Sequence, residues 1–170
     1  MIPAEYRAAY LISNAIALAL LALAFRRPTW VRWASIGIFL WATFTNARIA
    51  LTSPTDYQTF GDLTWSAFYR DFIRGWFQEH TPLLLLPIAA GQLAIALLFL
   101  VNTRFSRRLA TAGAIVFLLA IAPLGVGSAF PFSLTYSAAL VLMTRRLEAV
   151  EATRSLGATR RNRIGVLRGR

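Results

Sequence analysis

Apolar residues in this chain come in long blocks, and the breaks between the blocks are rich in arginine. Residues 8–25, 33–51, 82–101 and 109–124 are predominantly apolar runs, the second interrupted by Ser, Thr, Asn46 and Arg48. At about 1.5 Å per helical residue, such runs reach most or all of the way across a hydrocarbon core of about 30 Å. A further apolar stretch, 128–144, is interrupted at its start by Gly125, Gly127, Ser128 and Pro131, residues that turn or break a helix. The pattern predicts an all-α membrane protein, a helical bundle of five transmembrane spans over these ranges. Four spans plus a broken or re-entrant helix is the alternative, since interrupted helices can offer backbone groups to a ligand.

Between the second and third blocks lies "SPTDYQTFGDLTWSAFYRDFIRGWFQEH", too long and too aromatic for a plain loop. Phe60, Leu63, Ala67, Phe68, Phe72 and Trp76 fall on one helical stripe, which predicts an external amphipathic helix over about 54–78, lying in the interface. Trp65 and Trp76 suit headgroup depth. Ser53, Pro54 and Asp56 form a helix-start pattern, and Thr81-Pro82 repeats it at the third span. Such a helix is either a lid over a cavity among the spans or a brace that only holds them together.

Composition fits the membrane reading. The 170 residues are 57% hydrophobic and 15% charged, with mean hydropathy +0.55, a balance that leaves too little polar surface for a soluble domain. The net charge of +11 comes from 18 arginines and no lysine. Nucleic acid is not needed to explain it, because most of the arginines sit where span orientation requires them. Arg26, Arg27 and Arg32 separate the first two spans, and Arg104, Arg107 and Arg108 separate the third and fourth. Both connectors are expected in the cytoplasm. The tail from Arg145 to Arg170 holds eight arginines against two glutamates and reaches the same side only if the last apolar stretch crosses. The reading is therefore a multi-pass membrane protein with its N-terminus outside and its C-terminus in the cytoplasm; the bacterial inner membrane is what the family resemblance given below implies. Residues 1–144 form one transmembrane bundle, and 145–170 form a basic cytoplasmic tail able to attract anionic lipid. The first block lacks a small-residue cleavage pattern and reads as a retained span.

Candidate chemistry is sparse. Cysteine is absent and His80 is the sole histidine, so neither a typical zinc site nor a doubly ligated haem can be built. His80 reads as an interfacial residue, with proton handling beside Glu79 as the alternative. No nucleophile–base–orienter set or phosphate loop can be assembled; no catalytic residue and no cofactor is predicted. Arg48 lies about one turn below the end of the second span, where a charge is costly. It is expected to form a structural clamp with Asp56 or Asp71. The alternative is that Arg48, Tyr69 and Gln92 line a ligand site under the external helix. Gln92, beside Gly91, also suits a hydrogen bond to a neighbouring span.

The stretches "GIFLWATFTNARIALTSPTDYQTFGDLTWSAFYRDFIRGWF" and "RRLATAGAIVFLLAIAPLG", with the glycine-bearing apolar helix between them, resemble the DoxX-like family of small bacterial membrane proteins over about residues 35–145. The resemblance implies a membrane helical bundle with a partner-dependent role, some members being linked to quinone-coupled sulfur oxidation or to oxidative-stress assemblies. It supplies no catalytic residue. The chain departs from the family in its first span, its arginine-rich tail and its lack of cysteine, so no thiol role carries over. The leading expectation is a non-catalytic integral membrane subunit or accessory protein, whose partners are the bilayer and other membrane subunits. A binder or carrier of a quinone or lipid, and a DoxX-like component of a quinone-coupled redox system, are the alternatives.

Overall fold

The structure, a computed structural model, describes the backbone of residues 2–168 and the side chains of residues 2–153. All of the described elements are helical: α1 (Ala4–Arg26), α2 (Pro28–Thr52), a 3-10 turn (Pro54–Thr59), α3 (Phe60–Leu63), α4 (Ala67–Phe72), a π-helical turn (Ile73–Phe77), α5 (Gln78–Val101), α6 (Arg104–Ile121), a 3-10 turn (Ala122–Ser128) and α7 (Phe132–Arg168). Among the described residues, four helical stretches are long and apolar enough to cross a membrane: Ala4–Arg26, Pro28–Thr52, Ala67–Val101 and Arg104–Ser128. The chain is a multi-pass membrane protein by that measure.

Local chemistry explains where the helices stop. Arg27 leaves helical geometry just before Pro28, whose fixed φ and missing N–H suit the first turn of α2. Asn102 adopts a left-handed conformation to end α5. Thr103 and Ser106 then form a reciprocal capping box that starts α6. Ser53 and Pro54 open a 3-10 turn, and the Ser53 side chain makes no cap bond. The Thr81-Pro82 pair does not start α5, which begins at Gln78 and kinks at His80, because Pro82 cannot supply an i→i−4 bond.

Contacts between helices fix their directions. Asn14 Nδ2 on α1 donates to the Ala129 carbonyl at 2.8 Å, and the Tyr10 hydroxyl donates to the Phe130 carbonyl. At the far end of α1, the Arg146 guanidinium lies over the Phe25 ring, 5.9 Å from its centroid. Thus α1 and the first half of α7 run side by side in the same direction. Arg32 at the start of α2 reaches Phe99 at the end of α5, and Arg107 at the start of α6 reaches Glu151 of α7. One end of the bundle therefore gathers the arginine-rich turns. The other gathers the aromatic connecting segment, residues 53–77, and the 122–131 turn.

The core between these ends is tightly packed. Ala17, Ala24, Ala110, Ala114 and Ala139 are fully buried among Leu20, Val31, Phe39, Phe99, Leu140 and Met143. Small side chains let helix backbones approach closely, which is how apolar helices pack when lipid is as greasy as they are. Thr111 and Thr144 add a 2.7 Å hydroxyl pair between α6 and α7.

The connecting segment departs from expectation. No continuous amphipathic helix spans 54–78; the segment is broken at Thr64–Ser66, where Thr64 is extended. Side chains cause the break. Thr64 Oγ1 donates to the Pro123 carbonyl at 2.6 Å and accepts from Ser66 N at 3.1 Å, while the Ser66 hydroxyl caps α4 by accepting from Tyr69 N. Threonine and serine thus offer the backbone an alternative to helix. Gly75, also non-helical, interrupts the stripe again. The Gly125–Ser128 stretch, the other ambiguous region, is a compact turn. Gly125 has φ +63, and a Cβ on Gly127 would fall 2.5 Å from the Phe60 ring; both glycines permit the close approach of the connecting segment.

Alanine packing gives a direct test. Ala17→Leu is expected to destabilise the bundle by about 1–3 kcal/mol through overpacking, whereas Ala19→Leu on the exposed face of α1 changes stability by less than about 0.5 kcal/mol. Thermal unfolding in detergent distinguishes them, and equal shifts in both variants would contradict the packing described.

Candidate functional site

Polar side chains within the spans are the starting point, because each needs a partner in hydrocarbon. Asn46, on α2, is the centre of a network at the aromatic end. Its Nδ2 donates to Gln92 Oε1 on α5 at 2.8 Å, and its Oδ1 accepts from the Tyr57 hydroxyl of the connecting segment. Gln92 is buried, so its expected bond to a neighbouring span is present. Tyr57 stacks on Phe60 and meets Phe77 edge-on, with ring centroids 5.1 and 6.0 Å away. Burial pushes its hydroxyl up to about 12. Amides do not titrate and this phenol stays neutral well above pH 7, so the network orients three elements and offers no proton acceptor near neutrality.

The segment is fastened at a second place. Tyr69 donates its hydroxyl to the Ala120 carbonyl at 2.6 Å, beside the Thr64 bond to Pro123. Ala120 lies in the last turn of α6, where carbonyls lack partners within the helix, and Pro123 lies in the 3-10 turn that follows it. Trp65 meets Phe130 edge-on at 4.6 Å.

The expected clamp is not formed. Arg48 is exposed, and its side chain makes no ion pair with Asp56 or Asp71; both aspartates are exposed as well. Asn46 and Arg48 are about 200° apart around the helix, and Asn46 takes the inward position. In this segment Arg74 pairs instead with Asp62, an exposed pair of the kind that contributes little. Nor do Arg48, Tyr69 and Gln92 converge, since Tyr69 is bonded to α6, Gln92 to Asn46, and Arg48 points outward. His80 stacks flat on Trp76, centroids 4.4 Å apart, and its Nδ1 meets the Trp76 carbonyl at 2.9 Å. Glu79 is exposed beside it. No group of three or more His, Asp or Glu gathers among the described residues in a way that could hold a metal.

The arginine-rich end holds a cluster that the pattern of connectors concealed. Arg32 is buried, as is Arg107. Arg107 donates to the Asn102 carbonyl at 2.8 Å and to Glu151 at 2.7 Å. Arg108 and Glu148 form a two-pronged pair at 2.7 and 2.8 Å, and that hydrogen-bonded guanidinium holds the Glu148 carboxyl below its ordinary range. Helical spacing carried the missing signal: Arg32 lies on the face of Ser35, Ile36 and Phe39, all buried. The basic tail expected to meet anionic lipid has its side chains from Arg154 to Arg170 outside the described residues.

No family model matches the chain, and no curated protein or solved structure is matched by it.

The two fastenings make a prediction. Thr64→Val with Tyr69→Phe removes the side-chain donors to the Pro123 and Ala120 carbonyls, at about 1 kcal/mol each. Amide hydrogen exchange over residues 60–77 is then expected to rise about five- to thirtyfold, while Arg48→Leu leaves it unchanged. An equal rise in Arg48→Leu would restore the clamp to Arg48.

Proposed function

We propose that this protein is a non-catalytic structural subunit of a membrane assembly, a five-span bundle whose connecting segment is a brace. The observation that carries this reading is the Tyr57–Asn46–Gln92 chain, with Tyr69 bound to α6. Groups that a lid would keep for a ligand are bonded to one another, and the segment is tied to both α2 and α6. The resemblance to DoxX-like proteins points the same way, toward a bundle that works beside partners. The fifth crossing is supported by the parallel run of α7 along α1, from Ala129 level with Asn14 to Arg146 level with Phe25. The arginine-rich end then lies in the cytoplasm and the N-terminus outside the inner membrane.

The chain has no cysteine, which makes its topology simple to probe. Thr55→Cys is expected to react with a membrane-impermeant maleimide in intact spheroplasts, and Thr153→Cys only after lysis. Labelling of residue 153 from outside rules out the fifth crossing. Assembly is tested by extracting the full chain from native membranes directly into lipid nanodiscs. Other membrane polypeptides are expected at fixed stoichiometry, and particles holding a single 18.9 kDa chain alone refute the subunit reading.

A further inference from the structure

Every acid of the chain can be assigned to one end. Of seven acids in all, Glu5, Asp56, Asp62, Asp71 and Glu79 lie at the N-terminus of α1, in the connecting segment or at the start of α5, away from the arginine-rich turns. Glu148 and Glu151 remain, and both are taken, by Arg108 and Arg107. Residues 154–170 add six arginines and no acidic side chain. Arg32 is thus left with no carboxylate side chain of its own chain.

Its surroundings are not those of a surface arginine. Arg32 is 7% exposed; one arm donates to the Phe99 carbonyl at 2.9 Å, and its guanidinium lies 4.5 Å from the Trp33 ring centroid. Its Nε is enclosed without an acceptor, and so is the Nε of Arg107. Arg32 and Arg107 both reach backbone carbonyls at the same end of α5. Their carbonyl acceptors, Phe99 and Asn102, are one turn apart at the end of α5. That helix end carries roughly half a negative charge. Two guanidiniums, one carboxylate and half a charge leave the cluster positive, with buried donors unused, a combination that is expensive unless an anion completes it.

We propose that Arg32 and Arg107 form a binding site for a phosphate oxyanion. The planar guanidinium fork matches phosphate oxygens. Arg32 stands four residues past Pro28, about 6 Å along the helix from its start, within reach of the arginine-rich turns. Exposed Arg26, Arg27, Arg104, Arg108, Arg145 and Arg146 surround this end and draw anions toward it. Glu151 is the internal competitor: its side chain is 46% exposed and can yield Arg107 to a phosphate. The source of the phosphate is a lipid headgroup or a soluble anion, and the site holds whichever role the bundle plays.

The test uses the full chain, delipidated in a neutral detergent, with thermal unfolding followed as phosphatidylglycerol, phosphatidylcholine or inorganic phosphate is added at constant ionic strength. Wild type is expected to gain stability saturably. Stabilisation by phosphatidylglycerol alone assigns the site to a headgroup, and stabilisation by inorganic phosphate assigns it to a soluble anion. Arg32→Gln is expected to weaken the apparent affinity about tenfold, the loss of one charge-assisted hydrogen bond, while Arg26→Gln changes it less than about twofold, as a screened surface charge does. Glu151→Gln removes the competitor and is expected to tighten binding; it decides the matter if Arg32→Gln does not fold. No stabilisation by any of these additions overturns the site, as does equal weakening in the two arginine variants, or unchanged or weaker binding in Glu151→Gln.

Discussion

Backbone carbonyls at helix ends have no partner within their own helix, and in a bundle surrounded by hydrocarbon they cannot be left bare. Here they are met by side chains reaching across from neighbouring elements. Arg32 of α2 donates to the end of α5 and Tyr69 of the connecting segment to the end of α6, while Asn14 and Tyr10 of α1 and Thr64 of the segment donate to carbonyls of the 122–131 turn. Each bond satisfies a carbonyl and also ties two elements at a set depth. The order and direction of the helices follow from these ties together with the alanine-rich packing between them.

The two ends use different donors for the same task. At the aromatic end the donors are hydroxyls and amides, held among Tyr57, Phe60, Phe77, Trp65 and Phe130. Neutral bonds of this kind contribute about 1 kcal/mol each, and none needs a counter-ion. At the arginine-rich end the donors are guanidiniums, which satisfy the α5 carbonyls and its dipole but bring charge with them. Glu148 and Glu151 offset part of that charge. The chain thus has one neutral end and one end whose electrostatics reach beyond its own atoms.

The helical membrane class was legible in the sequence because block hydropathy is a local property: the lengths of α1, α2, α5 and α6 follow from it. What escaped was set by partners distant in sequence. Thr64 and Ser66 weaken a helix without forbidding it, and the bond to the Pro123 carbonyl, distant in sequence, fixes Thr64 as a break. Arg48 attracted attention as a charge in an apolar run, yet two residues earlier Asn46 held the inward position and did the bonding. Arg32 was hidden by the opposite error. Counted among the connector arginines, it belongs by helical phase with Ser35 and Phe39, on the buried face of α2. Charge counting along the chain sees neither difference; the angle around the helix decides both.

The same geometry explains how a broken segment still behaves as one body. Phe68, Phe72 and Trp76 remain exposed after the breaks at Thr64–Ser66 and Gly75, while Ile73 and Phe77 turn inward against Ala50 and Leu85. The segment therefore keeps one exposed apolar face and another toward the spans, although no single helix provides both. Its inner face comes so close to the 122–128 turn that a Cβ on Gly127 would strike the Phe60 ring. Lifting it from the bundle would expose Tyr57 and the Asn46–Gln92 pair together with the Ala120 and Pro123 carbonyls, several losses incurred at once. A lid needs an opening that costs little, and contacts that would be lost together are what favours the brace proposed above.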